Sequence, residues 1–575
     1  MPAATGGREF RVTLAAPPPS SPPVPFSAAG RAATLRALGE GVFDVLVVGG
    51  GITGAGIARD AAMRGLRVAL VERDDFGSGT SSRSSRLVHG GLRYLEHGHL
   101  HLVFEASRER RTLGRIAPHL VRPLAFLWPV YEKARVPKWK LRAGLLLYDT
   151  LSLFRNSGGH QALGTDRITG LEPGLRPPGL RGGARYYDAA TDDARLTLAT
   201  SRSAAEHGAV VANHVAVQGL TSQEGSVRGA IAVDTLDGAS LRIGASVVVN
   251  AAGPWSDEVT RLAAPAAAAT VRGTKGVHVA VPRGRVGNHG ALTVLSPIDG
   301  RVMFILPAGV HTIIGTTETE YAGAPDEVRA SAADVTYLLR SANSYFPGAH
   351  LTRADVVSAW AGIRPLADRA AAHAGSASRE HTIAWSMPGL LAVSGGKLTT
   401  YRAMAEEVVD MVSRALARPD GTRPARARAA TDREPLPGGA LGGDVLDLEH
   451  ETEVAQTLLG RRTAAEHLVC SYGSEWRDVW HRVERERALG AALAPPLSYM
   501  AAELHHAVER EMALTLADLL IRRLHVAFET RDNGRSVAPA VAAIVAPLLG
   551  WDDERIAREL EDYEGEVERM FGIEE

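Results

Sequence analysis

Apolar and polar positions lay out a compact pattern between Phe43 and Glu72. Val45-Leu46-Val47-Val48 is a short unbroken apolar run, as expected of a parallel strand buried on both faces. A glycine cluster follows. The next positions repeat at helical spacing and predict a helix over roughly Thr53 to Arg64, stopped by Gly65. Leu66 to Val71 then reads as a second strand, ending in Glu72.

The connecting turn, Gly49-Gly50-Gly51-Ile52-Thr53-Gly54, fits the pattern GxGxxG. Gly49 permits the tight turn, Gly51 lets backbone approach a pyrophosphate, and Gly54 lets the helix pack close on the strand. The anion sits at the helix N-terminus, where free N–H groups and the helix dipole favour negative charge. Glu72, about 18 residues beyond Gly54, is placed to accept hydrogen bonds from an adenosine ribose and to repel a 2′-phosphate. Strand, glycine turn, helix, strand and acid in this order predict a dinucleotide site.

Farther on, Gly77 to Glu96 is rich in Gly, Ser, Arg and His, which suits a loop wrapping a phosphorylated cofactor. Residues from about Ser107 to Leu153 read as helix, loop and helix. Tyr186 to Leu196 reads as a return to the first domain, with Asp192 and Asp193 capping a helix; two adjacent carboxylates are too few for a metal. Ser246 to Trp255 reads as a strand ending in small residues. Gly276–Val281, Val302–Leu306 and Thr312–Thr317 are β-like runs of a sheet over the site. Gly389 to Tyr401 gives a strand, a Gly-Gly turn and a helix through about Ala415. Residues 416–434 read as a Pro- and Arg-rich linker, and helices follow, including one from Tyr499 to Leu524.

The fold class expected is α/β. A Rossmann-like domain is assembled from residues 41–105, 180–255 and 385–415, and is interrupted by an α+β substrate (cap) domain of residues 106–179 and 256–384. A C-terminal α-helical domain, 435–575, follows the linker, with a role in structure, oligomerisation or membrane docking. Residues 1–40, with Pro17-Pro18-Pro19 and Pro22-Pro23-Val24-Pro25, read as a disordered tail rather than a signal peptide.

Composition narrows the function classes. The 575 residues are 45% apolar and 22% charged with a net charge of -1, which suits a soluble globular protein and gives no sign of a nucleic-acid partner. The single cysteine, Cys470, rules out an internal disulfide framework and suits a cytoplasmic setting. No metal-ligand cluster, HExxH or nucleophile elbow is present, so no metal is expected. No apolar stretch reaches the length of about 18 residues needed to span a bilayer.

The segments GGGITGAGIARDAAMRG, SSRSSRLVHGGLRYLE, NAAGPW, IIGTTETEY, GIRPL and SGGKLTTYR together resemble the FAD-dependent, quinone-linked glycerol-3-phosphate dehydrogenases, over roughly residues 42 to 575. The resemblance implies FAD held by Gly49, Gly51, Gly54, Glu72, Thr80, Ser81, Ser82, Ser85, Arg86, Val215, Gly253, Gly396, Lys397, Leu398 and Thr399. Arg86 stands where many relatives carry Lys. It further implies that sn-glycerol 3-phosphate is held by Arg93, Tyr94, Arg364 and Lys397. A hydride leaves C2 for flavin N5 as a base takes the hydroxyl proton, giving dihydroxyacetone phosphate. His89 and His278 are both candidate bases, and Arg364 or Lys397 a stabiliser of the alkoxide.

Arg108 to Arg142 carry many cations among Trp128, Tyr131, Trp139 and Leu145-Leu146-Leu147. An ordinary basic helix face explains these residues as well as a peripheral contact with anionic lipid does. The implied delivery of electrons to a membrane quinone favours lipid at the inner face of the plasma membrane. A homo-oligomer fits as well. Three other readings stay open: a glycerol-3-phosphate oxidase using oxygen, an amine or amino-acid oxidase, and a non-catalytic flavin-binding protein.

Overall fold

Strand β1 (Val42–Val48), helix α1 (Ile52–Met63) and strand β2 (Val68–Val71) form the expected unit. Both strands are parallel, with Val45 opposite Val68 and Val48 opposite Val71. Val45, Leu46 and Val47 are completely buried because helices cover one face and a smaller antiparallel layer the other. The computed structural model describes residues 25–91, 100–151, 158–366, 381–417 and 428–575. Among these, the first sheet has eight strands. Its main path runs from His381–Met387 through Leu390–Gly395, Ser240–Asn250, β1 and β2 to Val210–Ala212.

A second sheet, of ten strands, stands over the first. Two helices flank its entry, α2 (Leu100–Ile116) and α3 (Lys138–Leu151). Between them Val121–Tyr131, which carries Pro123 and Pro129, is a strand where the sequence reads as a loop. Its one full-length neighbour is the antiparallel strand β3 (Leu180–Thr191). Its other side meets a strand only at Phe126 and Leu127, so neither proline removes a donor required on that side. β3 thus belongs to the second sheet, and the return to the first domain comes with the helix Asp193–Glu206, not at residue 180. The later return begins at His381, ahead of the expected 385. The floor of this sheet is the antiparallel pair β4 (Arg272–Pro282) and β5 (Ser358–Leu366), with His278 opposite Trp360 and Gly276 opposite Gly362.

Helix α4 (Tyr401–Ala415) follows Leu390–Gly395 through a single tight turn at Leu398–Thr400. The C-terminal region is helical, but the span expected from Tyr499 to Leu524 is broken. Ala501–Arg510 ends where Met512 adopts a left-handed φ of 52°, and a wider turn of helix resumes at Asp518–Arg523. The break lets Glu511 turn inward to pair with Arg195 at 2.5 Å, a contact that hydrophobic periodicity does not encode. Leu504, Leu519 and Val541 share one apolar core with Phe126, Trp128 and Trp360 of the second sheet.

Part of the segment expected to be disordered is ordered. Arg31–Glu40 is a helix, fixed by Arg31 on Asp234 at 2.5 Å, and Phe26 stacks on Phe76 at 5.4 Å. Residues 1–24 lie outside the described residues.

Candidate functional site

The glycine turn is shaped by steric need. Gly49 has a φ of 109°, and a Cβ there would lie 2.7 Å from the Ala251 carbonyl oxygen; a Cβ on Gly54 would lie 1.9 Å from that of Gly49. Side chains at either position would push α1 off the strand ends. Glu72 closes the other side: its Oε2 accepts from the Gly50 N–H at 2.6 Å and its Oε1 from the Asp74 N–H at 3.0 Å. Burial, reinforced by the Asp74 charge, pushes the Glu72 carboxyl up to about 7.

These groups border a cavity of about 300 Å³ between the strand ends and the turn before α4. Gly51, Thr80 and Ser81 line one part, Val215 and Gly253 another, and Gly396, Lys397 and Leu398 a third. Ser81 also accepts from the Ile52 N–H at 3.0 Å, which ties the serine-rich loop to the start of α1. A glycine cradle that a Cβ would fill, an acid at the end of the second strand and a helix start at the far side together fit FAD.

A second cavity, of about 210 Å³, shares Ile52, Thr80, Ser81, Lys397 and Leu398 with the first and extends over β4 and β5. Arg364 lies over Gly276, where a Cβ would sit 2.4 Å from its Nη2. Its Nη2 donates to Thr316 Oγ1 at 2.9 Å and its Nη1 to the Thr317 carbonyl at 3.4 Å. His278, on the same face, is stacked on Trp360 with 5.5 Å between centroids, and its Nε2 meets Ser85 Oγ at 2.8 Å. Its Nδ1 has no hydrogen-bond partner among the described residues. Burial, then the Arg364 and Arg86 charges, lower the His278 imidazole to about 3, so it stays neutral.

His89 sits differently. It is half-buried, and Thr399 Oγ1 both accepts from its N–H and donates to its carbonyl, each at 3.2 Å. These two bonds tie the loop to the turn that begins α4. His89 borders the second cavity and also a third of about 340 Å³, lined on its apolar part by Phe126, Trp128, Leu141 and Phe304 and elsewhere by Lys140, Asp188, Arg301, Glu318 and Arg364. Leu87, His89, Phe304 and Arg364 are common to both.

Of the residues expected at the site, Gly49, Gly51, Glu72, Thr80, Ser81, Val215, Gly253, Gly396, Lys397 and Leu398 line the first cavity. Ser85, His89, His278 and Arg364 line the second. Gly54, Ser82 and Thr399 stand behind these walls as supports. Arg86 lines neither of these cavities: it has a φ of 54°, and its guanidinium lies 4.8 Å from the Phe528 ring in the C-terminal region. A run of Gly, Ser and Arg does not reveal which way one Cβ points. Arg93 and Tyr94 lie outside the described residues. Sequence reasoning missed Phe304. It also gave no role to the Trp255, Thr316 and Thr317 side chains, although they lie in the quoted NAAGPW and IIGTTETEY segments.

Asp75, His214 and Asp518 approach closely enough to suggest a cation site. Arginines already fill that role: Arg522 and Arg523 reach Asp75 at 2.7 and 2.6 Å, and Arg522 reaches Asp518 at 2.9 Å.

Residues 44–402 match the family described as FAD dependent oxidoreductase, and residues 429–556 match the C-terminal domain of alpha-glycerophosphate oxidase. The chain is 40% identical to the glycerol-3-phosphate dehydrogenase of Mycobacterium leprae, over 96% of this chain and 93% of that protein. It is 33% identical to the aerobic glycerol-3-phosphate dehydrogenase of Bacillus subtilis, over 92% and 95% of the respective chains. Among solved structures, the glycerol-3-phosphate dehydrogenase of Bacillus halodurans complexed with FAD superposes with a TM-score of 0.77 at 31% identity, covering 95% of this chain and 98% of that one.

Proposed function

The chain belongs to the FAD-dependent glycerol-3-phosphate dehydrogenases, and on that premise we propose that it oxidises C2 of sn-glycerol 3-phosphate with His89 as base and a quinone as electron acceptor. The observation that carries this reading is the junction of the second and third cavities, where His89 and Arg364 are shared.

When bound, FAD supplies the two-electron acceptor for the hydride that leaves C2. The protein supplies the rest. Arg364, held by Thr316 and Thr317, presents a fixed cation to the phosphate or to the oxygen on C2. Lys397 offers a point charge from the turn shared by the first two cavities. His89 takes the hydroxyl proton as the C2–O bond becomes a carbonyl, giving dihydroxyacetone phosphate. His278 is a poor base for this step, since its imidazole binds a proton only near pH 3. Arg93 and Tyr94, which follow His89 closely in sequence, are assigned to the phosphate from their motif.

The apolar part of the third cavity, walled by Phe126, Trp128, Leu141 and Phe304, favours a lipid-borne acceptor. One wall is α3, through Leu141 and Leu147, and the same helix exposes Trp139 (73%) and Leu146 beside Lys138, Lys140 and Arg142. An amphipathic helix with this mixture suits peripheral contact with an anionic membrane. No helix among the described residues is long and apolar enough to cross one.

An anaerobic visible spectrum before and after sn-glycerol 3-phosphate tests the proposal. Bleaching of the flavin band, with rapid recovery on a quinone analogue and slow recovery on oxygen, is expected. Rapid recovery on oxygen makes the protein an oxidase, and a flavin that stays oxidised overturns the substrate assignment.

A further inference from the structure

Gly90, next to His89, is held by a largely buried cluster given no role above, one member of which, Asp188, also lines the third cavity. Asp188, on β3, accepts from the Gly90 N–H at 2.9 Å through Oδ1. The same oxygen accepts from the Tyr148 hydroxyl at 2.6 Å and from Arg110 Nη1, which also donates to the Tyr148 oxygen at 2.7 Å. Tyr148 comes from α3 and Arg110 from α2, so three separate elements meet at one backbone N–H beside the proposed base. Tyr148 is completely buried, and Arg110 and Asp188 nearly so. Burial raises the Tyr148 phenol well above its usual range, which keeps it a donor. The fit is tight: a Cβ on Gly90 would lie 2.1 Å from the Tyr148 oxygen.

We propose that Tyr148 and Asp188 are positioning residues that fix the His89–Gly90 backbone and so aim His89 at the substrate. This rests on the assignment of His89 as base. One side of the loop is pinned by Thr399, from the turn that begins α4; the Asp188 cluster pins the other. A charge-assisted bond between a largely buried carboxylate and a backbone N–H restrains that backbone strongly. Tyr148 fixes the carboxylate rotamer, and Arg110 balances its charge. Since α3 also walls the third cavity and carries Trp139 on its outer face, the base is braced by the helix that meets the surroundings.

The test uses the FAD-loaded protein and the rate of flavin bleaching by sn-glycerol 3-phosphate in anaerobic stopped flow. Tyr148→Phe keeps the ring and loses the hydroxyl. The limiting rate is expected to fall roughly ten- to hundredfold, the scale of a small misplacement of a catalytic group, while the half-saturating substrate concentration and the bound FAD stay within about twofold. Tyr563→Phe removes an equally buried hydroxyl, bonded to the Asn533 carbonyl at 2.6 Å, and should leave the limiting rate unchanged. Should Tyr148→Phe lose its FAD, Asp188→Asn, which weakens the acceptor at constant volume, is read in the same way.

His89→Ala separates the two readings. A slow His89→Ala with a fast Tyr148→Phe overturns the positioning role and leaves the base. A fast His89→Ala overturns the base, and with it the positioning role, whatever Tyr148→Phe does. Equal changes in rate and half-saturation also overturn it, because they indicate a general structural effect.

Discussion

His278 lies flat against Trp360, with 14° between the ring planes, while its Nε2 is engaged by Ser85. Directly opposite positions on β4 and β5 put the two rings together, and Gly315 makes room, since a Cβ there would meet His278 Cδ2 at 2.1 Å. An imidazole so enclosed is a packing element with a polar edge.

His278→Gln is therefore expected to retain more than about a tenth of kcat, whereas His89→Ala should lose about a hundredfold or more, the usual contribution of a positioned base. Because the folded His278 value, about 3, lies below the unfolded one, its contribution to stability is complete above pH 6.5 and is lost as the pH falls toward 3. Chemical denaturation across that range should show a shallower acid decline in His278→Gln. Equal declines would reject the depressed imidazole.

Arg364→Ala should reduce kcat/KM by about 1.5 to 3 kcal/mol, the contribution of a charged hydrogen bond, with a larger loss if an anion is left without its partner. Arg364→Lys should recover part of this, because an ammonium replaces the charge but not the fork held by Thr316 and Thr317. An unchanged kcat/KM in Arg364→Ala would remove this residue from the substrate site.

Gly54→Ala should release most of the FAD on purification. The added methyl would lie 1.9 Å from the Gly49 carbonyl, which is rigid backbone in the turn that receives the pyrophosphate. The ratio of flavin to protein absorbance measures the effect, and full retention would place the pyrophosphate elsewhere.

FAD affinity of the apoprotein should rise as the pH increases through about 7 and then level off, because only the ionised Glu72 offers both oxygens to ribose hydroxyls. A raised carboxyl also makes its own contribution to apoprotein stability largest below its unfolded value near 4.5, and that contribution is lost as the pH rises through 7. Titration with FAD at several pH values tests both. Glu72→Gln should flatten the affinity profile, and an equally steep profile would assign the proton to another group.

The first unit was legible in the sequence because its causes are local. Gly54 is required by a contact with the Gly49 carbonyl five positions back, Gly49 itself takes a left-handed φ of 109° in the turn, and Glu72 follows at the end of the next strand. The family was legible too, from motifs spread over both sheets. What stayed hidden depends on distant partners. Val121–Tyr131 becomes a strand only because β3 lies beside it. Arg86 lies against Phe528, far along the chain. Gly90 and Asp188, 98 residues apart, share no pattern that periodicity could register.

The ion pairs around Asp75 bear on how this protein could be taken apart. Asp75 stands three positions after Glu72, inside the segment that matches FAD oxidoreductases in general, while Arg522 and Arg523 lie in the segment matched by a separate C-terminal family. Two units by descent thus share one buried charge balance. A carboxylate this deeply enclosed is costly to leave alone. A chimera joined at residues 416–434 would therefore need a C-terminal half with both arginines in register, or the strand end that carries Glu72 would be built on an unneutralised anion.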